Sequence, residues 1–261
     1  MESITLGDGK PEYAVMGAVH GDEPCGKKAI ERFLDSGIEV REPVKFVIAN
    51  ERALEEDVRY LEADLNRSFP GDPESEKYEE RLAAEIMDEI EGLKLLDIHT
   101  THSYPEAFAT FKHRVPEVFS MVRSTGVSNV IYFPGESGSS TSHIERSVLV
   151  EAGHQKTEDA VDNAYQVLLN FLAAENVIEG EYTRSDPEVF KYSETVEGEG
   201  YEFLAENFRR VEAGETFARR NGDELQADEA FYPVLMSTNG YRDMLGFKAR
   251  KLGRISDLEQ V

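Results

Sequence analysis

A single cysteine, Cys25, stands in the 261 residues of this sequence. One thiol excludes an intramolecular disulfide, so the fold must be held by its core rather than by covalent staples. Positive charge is scarce as well: 28 Lys and Arg face 52 Asp and Glu, a formal net charge of −24 at pH 7. That balance argues against nucleic acid and anionic membranes as partners, because both need a positive surface. No run approaches the roughly 20 consecutive apolar residues of a membrane span. The opening MESITLGDGKPEY has neither a basic start nor a long apolar stretch, so no signal peptide is expected and the cytoplasm is the expected location. GDGK, at 7–10, lacks the spacing of a phosphate-binding loop. What is present is an ordinary share of core-forming residues, 40% hydrophobic. The acids are scattered along the chain, as in a halophilic protein kept soluble where salt screens charge over a few ångströms.

The first two thirds alternate strand and helix signals. EYAVMGAV (12–19) is apolar without a helical period and reads as a buried strand. Pro24 suits the first turn of a helix to about Leu34, which Gly37 would end. PVKFVIA (43–49) and LKLLDI (93–98) read as further strands, as do AFATF, NVIYF and SVLVE. Between them Ser75 is a candidate cap for a helix whose Tyr78, Leu82, Ile86 and Ile90 recur every four residues. Thr157 would cap another helix to about Ala174, with Glu158 and Asp159 in its favourable first turn. Strands alternating with helices imply an α/β fold, a mostly parallel sheet covered on both faces. After about Asn176 short strand-like pieces are divided by Gly and acids, and ETVEGEGYEF suggests a hairpin. The expected organisation is a catalytic α/β domain over 1–177 and a small β-rich domain over 178–261.

In open α/β sheets, sites lie beyond the carboxyl ends of the strands. Three polar clusters fall there: HGDE (20–23), DIHTTH (97–102) and VEAGH (150–154). Catalytic zinc commonly takes three protein ligands and leaves a position for water. His20 and Glu23, three apart on one turn, can reach one ion, and His99 completes a His₂Glu set. Asp97, two residues before His99, shares its face on a regular strand and could orient that imidazole. Arg52 and the run ADLNRSFPGD (63–72) sit in the long connection after the second strand, and arginine is the natural fork for a carboxylate.

HGDE, NERA (50–53), DLNRSF (64–69), DIHTT and VEAG, in this order, resemble the succinylglutamate desuccinylase and aspartoacylase family, whose fold is related to the zinc carboxypeptidases. YPVLMSTNGY (232–241) resembles a family segment less specifically. The resemblance implies a zinc carboxypeptidase-like fold and one zinc ion held by His20, Glu23 and His99. It implies Glu151 as general base and later acid, and Arg52 as the group polarising the scissile carbonyl. It implies Asn66 and Arg67 as holders of the substrate's α-carboxylate, Asp64 as support for their loop, and Tyr241 as a contribution of the C-terminal part to the pocket. The implied activity is hydrolysis of an N-acyl amino acid, a small-molecule substrate, by a chain that could form homo-oligomers.

Glu51 replaces the family's usual proline in NERA, and His154 follows Gly153 where proline is usual. Thr141 stands where relatives that cleave acyl groups bearing a second carboxylate often have an arginine. Arg146 is nearer to the general base, and the sequence leaves open which residue meets the acyl group. A carboxypeptidase-like peptidase and a non-catalytic metal- or ligand-binding protein on the same fold are the alternatives. A cysteine hydrolase using Cys25 beside His20 is a more distant one. Of the other histidines, His154 is the best placed for a minor role, ahead of His102, His113 and His143.

Overall fold

The computed structural model of the protein describes residues 1–135, 138–240 and 243–259. The strands are β1 (Glu2–Leu6), β2 (Tyr13–Gly17), β3 (Val44–Ile48), β4 (Lys94–Thr101), β5 (Phe108–Phe111), β6 (Asn129–Tyr132) and β7 (Ser147–His154), followed by β8 (Glu188–Glu197), β9 (Glu202–Phe203), β10 (Thr216–Arg220), β11 (Asp223–Gln226), β12 (Tyr232–Val234) and β13 (Met244–Arg254). The helices are α1 (Cys25–Asp35), α2 (Glu51–Glu55), α3 (Tyr78–Glu89), α4 (Pro116–Ser124), α5 (Ser140–His143), α6 (Glu158–Ala174) and α7 (Ile255–Leu258), with a 3₁₀ turn at Leu65–Arg67.

Ten strands form one sheet in the order β1-β3-β2-β4-β7-β5-β6-β8-β13-β12. Its centre is parallel, with β3, β2, β4 and β7 side by side, while β1, β5, β12 and β13 bring antiparallel pairings. Period-2 alternation sends successive side chains to opposite faces. Tyr13 and Val15 of β2, with Phe46 of β3 and Ile98 of β4, pack under α1, α4 and α6. Ala14, Met16, Val47 and Leu95 face the other way and pack under Leu82, Ala83 and Ile86 of α3. Helices on both faces of a mostly parallel mixed sheet are the expected α/β architecture.

Local signals place these elements. Thr157 caps α6 by accepting the Ala160 N–H at 3.2 Å. Pro24 stands immediately before α1, and Gly37, at φ +73°, follows it. The expected cap at Ser75 is corrected: α3 begins at Tyr78, and Ser75 Oγ donates instead to Glu80 Oε2 while accepting the Lys77 N–H.

Beyond residue 177 the chain is strand-rich, yet β8, β12 and β13 extend the main sheet through the parallel β6–β8 pairing. A separate three-stranded sheet, β11-β10-β9, packs around Phe217, Phe231 and Met236. The expected hairpin at ETVEGEGYEF is not formed: β8 pairs with β13 and β9 with β10. No helix among the described residues is long and apolar enough to cross a membrane.

Candidate metal centre and substrate cavity

The loop after β2 carries His20 and Glu23, and its path depends on close backbone approach. A Cβ on Gly21 would lie 2.1 Å from the Ala53 carbonyl carbon, so only glycine lets the loop rest on α2. The Gly21 N–H donates to the Arg59 carbonyl at 3.2 Å, which ties this loop to the segment after α2.

His20, Glu23 and His99 are each at most 4% exposed, and one ligand atom from each lies within 4.8 Å of the others. His20 Nδ1 is 2.8 Å from Glu23 Oε1, and His99 Nδ1 is 3.2 Å from Glu23 Oε2. The Thr100 N–H also donates to Glu23 Oε2, at 3.0 Å. Each imidazole meets a second carboxylate at its other nitrogen. His20 Nε2 is 3.2 Å from Asp64 Oδ1. His99 Nε2 is 3.3 Å from Asp97 Oδ1, an ion-pair distance that falls short of an aligned hydrogen bond. Ser140 Oγ donates to the other Asp97 oxygen at 2.7 Å. A dyad of imidazoles and a carboxylate, with each ring braced by an aspartate, is a donor set suited to zinc.

The charges respond as this packing requires. Burial alone would lower the His20 imidazole, but Glu23 and Asp64 outweigh it and raise its pKa. Burial likewise opposes protonation of His99, and Asp97 and Glu23 raise it well above the ordinary value. Glu23 is held well below the carboxylate range: burial would raise it, and the two imidazoles more than reverse that. Glu151 behaves oppositely, since burial pushes its carboxyl up to about 8.

Glu151 pairs with His99 across β4 and β7. Beyond that pair the register slips, with Thr101 opposite His154. Gly153 lies in this bulge at φ +127°, where a Cβ would come within 2.6 Å of the Pro105 carbonyl oxygen. Glu151 Oε2 is buried without a hydrogen-bond partner, as is Asn66 Oδ1.

His20, Glu23, Asp64, His99, Thr100 and Glu151 border one cavity of about 930 Å³. Asn66 and Arg67 also line it, placed by the 3₁₀ turn that Asp64 caps by accepting the Asn66 N–H at 2.9 Å. Arg52 does not line it. The expectation for this residue is corrected: it is exposed on α2, with its guanidinium 4.5 Å above the Tyr78 ring. The guanidinium beside Glu23 belongs to Arg59, whose Nη1 lies 3.3 Å from Glu23 Oε1 and whose Nε donates to Asp64 Oδ2 at 3.3 Å. Helix α2 buries Ala53 and so turns its neighbour Arg52 outward, whereas Arg59 follows the helix in a segment that returns to the loop after β2. Tyr241 lies outside the described residues.

The remaining expectations sort clearly. Thr141 is buried and lines the cavity, while Arg146 donates to the Gly92 carbonyl and does not line it. His102 borders the cavity; His154, expected as the better candidate, is exposed and does not. Cys25 is buried under the sheet, its thiol pKa raised by burial and by Glu23 and Glu151, so it is a packing residue. Sequence reasoning missed Lys112, half-buried at the cavity, whose Nζ donates to the Gly135 carbonyl at 3.2 Å. Burial and the nearby Arg67 lower its pKa. It also missed an apolar wall in which the rings of Phe133, Tyr192 and Phe247 stand 5.5–5.6 Å apart pairwise.

Residues 10–174 match the model of the succinylglutamate desuccinylase/aspartoacylase catalytic domain. The chain belongs to this family. Rat aspartoacylase is 37% identical over 78 residues, which are 29% of this chain and 25% of the rat protein. The N-acyl-aromatic-L-amino acid amidohydrolase (carboxylate-forming) of Xenopus laevis is 33% identical over 107 residues, 35% of each chain. The matched stretches thus span about a third or less of these two relatives. Among solved structures, the product-bound ectoine utilization protein EutE of Ruegeria pomeroyi superposes with a TM-score of 0.79 at 20% identity, covering 95% of this chain and 87% of that one. Murine aminoacylase 3 gives 0.74 at 17% identity, covering 94% and 97%. At such identities these two structures share the fold.

Proposed function

We propose that the protein is a zinc-dependent amide hydrolase that removes the acyl group from N-acyl amino acids. The observation that carries this reading is the register of Glu151 with His99: a buried carboxyl of raised pKa stands beside a His₂Glu cluster. The family membership supports it, as do the activities named for rat aspartoacylase and the Xenopus amidohydrolase.

In this reading His20, Glu23 and His99 hold one zinc ion. Zinc in such a set supplies Lewis acidity and makes water a competent nucleophile near neutral pH. Glu151 accepts a proton from the attacking water as its oxygen bonds to the amide carbon. The same carboxyl then passes that proton to the nitrogen as the carbon–nitrogen bond breaks, releasing a carboxylic acid and the free amino acid. Arg59, rather than Arg52, donates to the carbonyl oxygen as negative charge builds on it. Asn66 and Arg67 receive the α-carboxylate, an arginine fork matching its two oxygens. The apolar ring wall and Lys112 border the same cavity and bear on which substrates fit. The soluble halophilic setting, a cytoplasmic location and homo-oligomer formation belong to this proposal as well.

Elemental analysis of the purified protein beside His99→Ala tests it, followed by assay of amino acid release from a panel of N-acyl amino acids. Near-stoichiometric zinc in the parent, lost in the variant, with release from at least one N-acyl amino acid is the expected result. A folded parent that takes up no metal on reconstitution would overturn the reading.

A further inference from the structure

Glu79 lies on α3, outside the cavity, and is fully buried at 0% exposure. A buried carboxylate without compensation costs several kcal/mol, so its partners indicate what it is for. Three successive backbone N–H groups converge on it. Leu61 donates to Oε1 at 2.7 Å, and Glu62 and Ala63 donate to Oε2 at 3.1 and 3.0 Å. Asn50 Nδ2 donates to Oε1 at 3.3 Å. Asn50 is itself buried and accepts the Ala53 N–H to cap α2. The clasp is mutual, because Glu62 accepts the Tyr78 N–H at the start of α3.

The segment held in this way carries several of the polar groups that line the cavity. Arg59 and Tyr60 immediately precede the three donors, and Asp64, Asn66 and Arg67 follow them. Asp64 braces His20, and Arg59 contacts both Glu23 and Asp64. The residues between α2 and the 3₁₀ turn include no regular element that could fix their path. Backbone N–H groups outside regular elements need acceptors, and here one buried side chain supplies them.

We infer that Glu79 is the positioning residue of the substrate-binding segment: its carboxylate locks the backbone of residues 61–63 and thereby sets Arg59 on one side and Asn66 and Arg67 on the other. The inference rests on the functional reading above for what those three side chains do, and on hydrogen-bond geometry alone for how they are held. His20, Glu23 and His99 stand on the β2 loop and β4, so at saturating zinc the metal should be retained when Glu79 is changed, with affinity weakened no further than by loss of the Asp64 brace.

The test compares Glu79→Gln and Glu79→Asp with Leu82→Ala, a buried apolar change on the same helix. Glutamine keeps the shape but replaces an acceptor oxygen with a donor group facing donors. Glu79→Gln should lower kcat and raise KM for an N-acyl amino acid. Together these should reduce kcat/KM about 100-fold, the scale of a misplacement of 1 Å, with zinc content unchanged. Glu79→Asp, which keeps the charge on a shorter arm, should recover part of the loss. Leu82→Ala leaves the Glu79 carboxylate and its donors in place, so it should reduce the folded fraction and leave KM as it is. Amide hydrogen exchange gives an arm independent of turnover: Leu61, Glu62 and Ala63 should be protected in the parent and exposed in Glu79→Gln.

An unchanged KM in Glu79→Gln, with a kcat loss matched by Leu82→Ala, would overturn the inference. So would rapid exchange of those three amides in the parent, a measurement that needs no variant to fold. If the parent hydrolyses no N-acyl amino acid, the functional reading fails, and the exchange arm still decides whether Glu79 locks the segment.

Discussion

Glu151 faces His99 directly across the parallel pairing of β4 and β7, and the bulge at Gly153 begins just after that pair. Two residues some fifty positions apart in sequence are therefore fixed relative to each other by backbone hydrogen bonds, not by a loop. The first prediction follows from that rigidity. Glu151→Gln should lower turnover by about 10²–10⁴-fold, the usual contribution of a positioned acid–base group, while zinc content stays near that of the parent. Paired kinetics and elemental analysis check it, and normal turnover in the variant would remove Glu151 from the proposed chemistry.

Stability of the metal-free protein should fall as pH rises. Glu151, with its folded pKa near 8 from burial, keeps a proton that the unfolded chain releases above about pH 4.3. The native state thus binds more protons across this window, so the contribution declines between roughly pH 4 and 8, at no more than about 1.4 kcal/mol per pH unit. His20 and His99 act in the same sense, because their raised folded values give stability that is lost as pH rises through them. Urea unfolding after chelation should show a shallower decline for Glu151→Gln than for the parent.

The two arginines should separate sharply. Arg59→Lys should cost about 10²–10³-fold in kcat, as loss of an oxyanion donor does. Arg52→Lys changes a guanidinium that stacks on Tyr78 away from the cavity, so its kinetic constants should match the parent's. Equal losses in the two variants would show that Arg52 reaches the substrate after all.

Metal affinity should depend on the two aspartates behind the histidines. Asp64→Asn and Asp97→Asn should each weaken zinc binding about 10–100-fold, read by competition with a chelating dye. Ser140→Ala removes the neutral donor to Asp97 and should have a smaller effect. Wild-type affinity in both aspartate variants would mean that the imidazoles are oriented by packing alone.

Much of this arrangement was legible in the sequence because strand ends in an alternating fold converge on one edge. HGDE, DIHTT and VEAG each close an apolar run, and the sheet order puts β2, β4 and β7 side by side. What could not be read was the path of chain that no periodicity governs. Arg52 and Arg59 lie in the same connection, and only the outward turn of α2 decides between them. The ETVEGEGYEF hairpin failed for a related reason, since its two halves found partners in different sheets. Lys112 and the ring wall carried no local signal, because a strand-end lysine and scattered aromatics look the same whether they border a cavity or solvent.

The continuation of the main sheet past residue 177 makes the chain indivisible where its composition invites a cut. A fragment ending there would leave β6 as a bare edge offering unpaired backbone groups to any passing strand. It would also uncover Phe108 and Ile131, which Phe190, Phe208 and Val234 now enclose. The half that carries His20, Glu23 and His99 therefore depends on the half that carries none of them to cover its edge and core, and a graft or truncation at that boundary should yield aggregates.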